Sequence, residues 1–122
     1  MGGAFMCFEV EGSCFVTPVA WAREAVPVGH VTPVPTAPPE VIGVTQVRGQ
    51  ILPLLDLPRM LGGRPATVRL GDVALLVGVG ETRALLSGAT ALRVSDAPEG
   101  ATPIDLPELL GRVRSRIEER QR

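Results

Sequence analysis

The sequence predicts a mainly all-β protein, built of small β-barrels and closed by one C-terminal α-helix. Three observations carry this. Short apolar runs recur along the chain with turn chemistry between them, at the spacing of about eight to twelve residues seen in small barrels and sandwiches. Near the C-terminus, Leu109, Leu110, Val113 and Ile117 fall on one helical stripe. Finally, a strand-to-helix unit centred on Leu54-Leu55-Asp56-Leu57-Pro58 and ending at Gly62 returns as Pro103-Ile104-Asp105-Leu106-Pro107, ending at Gly111. The two aspartates are 49 positions apart (105 minus 56), and the leucine, proline, leucine and glycine after them keep that offset. A repeated unit of this kind implies two related halves.

The elements follow in order. Residues 4–10 alternate, with Met6, Phe8 and Val10 on one side and Glu9 and Glu11 on the other. Glu11-Gly12-Ser13 is turn chemistry, and residues 14–17 are the return strand, ended by Pro18. Residues 19–24 fit one turn of helix. Residues 26–34 alternate valine with small or polar residues, but Pro27, Pro33 and Pro35 confine them to an edge or irregular strand. Pro38 and Pro39 stiffen the connector that follows. Residues 41–47 and 50–55 are two strands joined at Arg48-Gly49, where glycine supplies the positive φ of a two-residue hairpin turn. Asp56 caps a short helix with Pro58 in its first turn and Gly62-Gly63 after it. Residues 67–70 and 73–79 read as a hairpin around Gly71-Asp72. Residues 84–86 and 89–94 are further strands, and 95–102 a loop. Asp105 caps the last helix, with Glu108 three residues on in the manner of a capping box.

Composition excludes several classes of function. With 45% hydrophobic residues the chain can bury a core and is not disordered. A net charge of −1 gives no general attraction to nucleic acid or to an anionic membrane surface. All twelve basic residues are arginine, so no amine is present for Schiff-base or P-loop chemistry. Phe5, Phe8 and Phe15 cluster in a core strand pair and not on a platform for stacking bases. Cys7 and Cys14 flank the first turn and read as two buried free thiols; a disulfide would require export. There is no basic start followed by an apolar leader, Met1-Gly2-Gly3 lacks the Ser or Thr of a myristoylation signal, and no apolar run approaches the roughly 20 residues of a membrane helix. The expected location is the cytoplasm, without direct membrane insertion.

No catalytic set is visible, and no cofactor or metal is expected. His30 is the single histidine and reads as a surface or structural residue; with Cys7 and Cys14 it makes no recognised zinc spacing. Gly78-Val79-Gly80 is only a fragment of a dinucleotide fingerprint. Asp56 and Asp105 are better explained as twin helix caps than as an acid/base pair. Arg48 is the residue that stands out. A two-residue turn cannot bury a guanidinium, so Arg48 points at solvent or meets another group. Glu24 is a candidate partner within the chain, or an independent contact for another protein. Arg112, Arg116 and Arg120 line one face of the last helix at spacing four, either as a solvated face or as a docking surface for an acidic partner.

Residues 8–61 resemble the CheW-like adaptor domain of bacterial chemosensory systems. That family places a glycine, then Asn-x-Arg-Gly, two strand residues, a proline, an aliphatic pair and Asp-Leu. The chain has Gly43, then Gln46-Val47-Arg48-Gly49, Pro53, Leu54-Leu55 and Asp56-Leu57, with Glu24 and Pro39 at the family's upstream positions. Gln46 stands where the family usually has asparagine. Where the family continues with a Val-Asp pair the chain has Val77-Gly78, and a strand-loop segment that normally follows is missing between Glu81 and Leu86.

The resemblance implies a single domain over residues 1–122 made of two SH3-like barrels. The first would span residues 4–62, an abbreviated second 64–106, and the helix 107–121. It implies a non-enzymatic adaptor coupling the cytoplasmic tips of methyl-accepting chemoreceptors to the regulatory domain of a CheA-type histidine kinase, in chemotaxis or twitching motility. Glu24 and Arg48, with Gln46 and Gly49 of the turn, would form the partner-binding surface, and a receptor tip would dock in the groove between the barrels. A diverged module using the terminal arginine face for a different partner is the alternative. An abbreviated barrel leaves an open edge, so a homodimer through it is a further expectation, unless the Pro-rich stretch blunts that edge.

Overall fold

The computed structural model describes residues 4–120; the myristoylation reading at Met1-Gly2-Gly3 and the last turn expected at Gln121 lie outside them. Within the described residues the order is β1 (Phe5–Val10), β2 (Ser13–Pro18), β3 (Ala22–Pro27), β4 (Val31–Thr32), β5 (Val41–Val47), β6 (Gln50–Asp56), α1 (Leu57–Met60), β7 (Val73–Val79), β8 (Thr82–Ser87), β9 (Thr90–Ser95), β10 (Thr102–Pro103) and α2 (Leu106–Arg120). The fold is mainly β with a C-terminal helix, in two sheets. One has the order β10-β2-β1-β9 and the other β3-β7-β8-β6-β5-β4.

The six-stranded sheet is buried on both faces, which is why its inner strands read as unbroken apolar runs and not as alternations. Leu55, Leu75, Val77, Ala84 and Leu86 face the four-stranded sheet, where Met6, Phe8 and Val10 meet them together with Leu106, Leu109, Leu110 and Val113 of α2. The residues between them, Leu52, Leu54, Ala74, Leu76 and Leu85, turn the other way and pack with Val26 and Val28 in a second core. Phe8 and Phe15 stack across the β1–β2 hairpin at 6.2 Å between ring centres.

Two expectations are corrected. Residues 19–24 form no helical turn: Trp21 N donates to Pro18 O at 3.0 Å in a tight turn, and Ala22 already begins β3. One turn of helix carries the full cost of nucleation, whereas β3 gains a ladder along β7 from Ala22↔Val77 to Pro27↔Val73. Residues 67–70 are not a strand. The Gly71-Asp72 turn is present, with Asp72 Oδ2 accepting from Arg69 N at 2.8 Å, but β7 is already flanked by β3 and β8 and has no free side. The two sheets interleave along the chain. The N-terminal β1 and β2 pair with β9 and β10, while β6 runs parallel to β8 through Leu54↔Leu85, Leu55↔Leu86 and Asp56↔Ser87.

The proline constraint is met by position, since β3 and the two-residue β4 are the edges of their sheet. The other sheet ends in the two-residue β10 on one side and in the longer β9 on the other. A register shift against β1 between Cys7 and Glu9, a left-handed Ala91 at φ 53 and the exposed Arg93 all disfavour strand addition there.

The end of β6 is tied down by one carboxylate. Asp56 is buried; its Oδ1 accepts from Arg59 N at 3.1 Å to cap α1, and its Oδ2 accepts from Ala66 N at 3.0 Å to fix the returning loop. Gly88 lies directly against this corner. It has φ +92, and a Cβ there would sit 2.4 Å from Pro58 Cδ. Asp56→Ala should therefore lower the free energy of unfolding by about 2–3 kcal/mol in urea melts, for the lost cap and the amides left unpaired. Gly88→Ala should destabilise as well. By contrast Gly111→Ala, inside α2 with open space around it, should stabilise by about 0.5–1 kcal/mol.

Candidate functional site

Arg48 and Gly49 are the two residues between β5 and β6, where Val47 pairs with Gln50. Their φ values of 50 and 82 are those of the mirror-image turn that matches strand twist. A Cβ on Gly49 would meet nothing within 4 Å, so this glycine serves the turn and not a contact. The turn carries the arginine out to the rim of the six-stranded sheet.

Glu24 reaches the same rim from β3, at the far edge of that sheet. The β3–β7 register shifts between Ala22 and Glu24, so Arg23 is a bulge residue. Arg48 Nη1 donates to Glu24 Oε2 at 3.0 Å, and Nη2 meets Oε1, making a bidentate pair. Both side chains stay open to solvent, 66% exposed for Arg48 and 41% for Glu24. The hydrogen bond from Arg48 chiefly holds the Glu24 carboxyl below its ordinary value, aided by the charges of Arg48 and Arg83 and opposed by partial desolvation. The same hydrogen bond raises the already high pKa of Arg48. Next to them Arg83 Nη1 donates to Gln50 Oε1 at 2.8 Å.

Gln46 does not join this group. It is exposed on β5, opposite Ile51, and lines a separate cleft with His30, Thr32 and Thr45. Ile51 is 72% exposed there. Asp105 is far from the pair along the chain and caps α2 through Glu108 N at 3.1 Å. Arg83, Gln50, Arg23 and Trp21 also belong to the rim, and no local pattern marks them, because the pairing of β8 with β6 and of β3 with β7 is what brings them there.

The arginine face of α2 is engaged within the chain. Arg116 pairs with Glu40, Arg120 Nη1 donates to Ala37 O at 3.3 Å, and Arg112 lies 3.7 Å from Glu108 one turn earlier. Two of the three arginines thus reach the Pro-rich connector, while all three side chains stay exposed. Cys7 is buried with its Sγ 3.1 Å from Ser95 Oγ, whereas Cys14 is only half-buried, against the expectation of two buried thiols; both are free. His30 is exposed, and its carbonyl accepts from Thr45 Oγ1 at 2.8 Å. Among the described residues no helix is long and apolar enough to cross a membrane, and no three His, Cys, Asp or Glu side chains gather as a metal shell.

A larger cleft, about 590 Å³, lies where β3 and β7 approach β9. Ala25, Val28, Val73, Ala89 and Leu92 line it, and the exposed Val73 makes part of its rim apolar.

A family model described as the CheW-like domain matches residues 4–100. That stretch contains Glu24, the Arg48 turn and Asp56, and α2 lies beyond it. Protein FrzA of Myxococcus xanthus is 37% identical over 87 residues, covering 71% of this chain and 52% of FrzA. The chain thus spans about half the length of that curated relative. Among solved structures, the scaffolding protein TtCheW from Thermoanaerobacter tengcongensis aligns with a TM-score of 0.63 at 19% identity, covering 79% of this chain and 67% of that one. At this identity the likeness is one of fold.

The pH dependence of the pair follows from the direction of the shift. With a folded pKa below 4.5, ionised Glu24 stabilises the pair at all pH values above 4.5, and that contribution is lost as pH falls through the lowered value. Carboxyl NMR titration should place the Glu24 midpoint below 4.5, and Arg48→Ala should return it towards 4.5.

Proposed function

Since the chain belongs to the CheW-like domain family, we propose that it is a non-enzymatic adaptor coupling chemoreceptors to a CheA-type histidine kinase in the cytoplasm. The observation that carries this reading is the Glu24–Arg48 pair, a bidentate contact fixed in the open. An exposed ion pair contributes little to the stability of a fold. Holding one by a strained turn on one side and a strand bulge on the other is therefore costly without another use. Arginine in a preset planar geometry is a residue that protein interfaces favour.

In this reading the rim of Glu24, Arg48 and Gly49 faces the regulatory domain of the kinase, with Gln46 and Ile51 extending the surface along β5 and β6. The larger cleft between the sheets would take the cytoplasmic tip of a methyl-accepting chemoreceptor, its apolar rim matching a helical tip. In this reading Arg116 and Arg120 of α2 serve the fold, since they already hold Glu40 and the connector.

Isothermal titration against the regulatory domain of a CheA-type kinase from the same organism tests the assignment. Arg48→Glu should weaken binding by roughly tenfold or more, the order expected for a charge-assisted contact. The charge-swapped double variant Glu24→Arg/Arg48→Glu rebuilds the internal pair and should still bind poorly if the partner reads the charges. Unchanged affinity in Arg48→Glu would sink the proposal.

A further inference from the structure

Beside the Glu24–Arg48 pair is a cleft of about 280 Å³ lined by Trp21, Arg23, Glu24, Gly78, Gly80 and Arg83. We propose that it seats the carboxylates of an acidic segment of a partner protein. The inference rests on the reading that this rim faces a partner, and adds what that partner presents.

Consecutive residues of a regular strand point to opposite faces. Arg23 and Glu24 nevertheless line one cleft, because the bulge on β3 re-aims one of them. Arg83 comes from β8 and is steadied by Gln50. Glu24 is the one acid in the lining, and both its oxygens are already taken by Arg48. Among the described residues, neither Arg23 nor Arg83 has a carboxylate within 4.0 Å. Two arginines, Arg23 and Arg83, thus line the cleft beside a glutamate that Arg48 already neutralises, in a chain whose net charge is −1, so the excess is local. Glu81, on the turn after Gly80, is outside the lining.

Shape narrows the ligand. Trp21 is half-buried, with its body against the main core, and gives the cleft an apolar wall. Gly80 and Gly78 contribute no side chain to fill it. A Cβ on Gly78 would meet Thr82 O at 3.8 Å and Arg83 Cγ at 3.9 Å, both ordinary contacts, so the space is open and not merely tight. The volume lies just below the roughly 300–1,000 Å³ of small-molecule sites. It suits the side chains of a peptide laid along the rim, and paired arginines match carboxylates in bidentate geometry.

Trp21 is the single tryptophan and so reports on its own cleft. The chain is titrated at low salt with a capped Gly-Glu-Asp-Glu-Gly peptide and with capped Gly-Lys-Lys-Lys-Gly, following tryptophan emission. The acidic peptide should give a saturable change and the basic one none. Arg83→Glu should weaken binding by roughly tenfold or more, as should Gly78→Asp, which supplies an internal carboxylate in place of the partner's. Arg23→Glu gives the same test should either of those fail to fold by circular dichroism. Arg93→Glu, on β9, makes the same change of net charge away from the cleft and should leave affinity unaltered. Equal response to both peptides, or equal losses in Arg93→Glu and Arg83→Glu, overturns the proposal. If peptide binding is absent while Arg48→Glu abolishes kinase binding, this inference alone falls. If the peptide binds as expected and Arg48→Glu leaves kinase binding intact, the proposed function alone falls.

Discussion

The buried carboxylate of Asp56 holds the corner at which β6 turns into α1. It ends β6, caps α1 and receives the amide of Ala66, while its own backbone N donates to Glu40 O at 2.8 Å. β6 pairs with β5 on one side and β8 on the other, so what fixes its end fixes the sheet. Ser87 Oγ closes the same corner by donating to Leu55 O at 2.8 Å, and Gly88 lets the chain pass Pro58. A polar group this deep is tolerated because its acceptor oxygens are satisfied by backbone amides. The double-faced burial of the six-stranded sheet depends on that order, since a slip of one residue in β6 would exchange Leu54 for Leu55 between the two cores.

The rim is the reverse case. There polar groups are paired where water could have served them. The left-handed φ of Arg48, outside the usual range for a side chain of its size, and the bulge at Arg23 are both departures from regular geometry. One comes from the edge strand β3 and the other from the turn between the inner strands β5 and β6, and they converge on one ion pair. Departures from local regularity that converge in space, away from the core, are where a fold most often gives up stability for contact with other molecules.

Much of this was legible in the residues, and the limits have physical causes. The hairpin at Arg48-Gly49 and the caps at Asp56 and Asp105 are local chemistry, and local chemistry is visible in a linear sequence. So is the repeat, although its two strands end in different sheets and the second has only two residues. Residues 19–24 misled because apolar residues at helical spacing also suit a short turn leading into a strand. The Gly71-Asp72 turn was real, but nothing in its neighbourhood states that both sides of β7 are taken. The contacts that Arg116 and Arg120 make were not legible because Glu40 and the carbonyls of Thr36 and Ala37 are distant in sequence. For the same reason Glu24 and Arg48 could be named separately from sequence and resemblance, whereas Arg83 and Gln50 could not.

The interleaving of the sheets also sets an order of events during synthesis. β1 and β2 emerge from the ribosome first and can zip into a hairpin at once. Yet the other neighbour of β1 is β9, with contacts such as Cys7 to Ser95 spanning 88 positions, and the apolar side of the hairpin is covered by α2. A lone hairpin is marginal in water. The nascent chain therefore carries Met6, Phe8 and Val10 uncovered while the whole six-stranded sheet is made. The first strands of the fold are thus among the last to have their neighbours made, and until then their apolar side is open to aggregation.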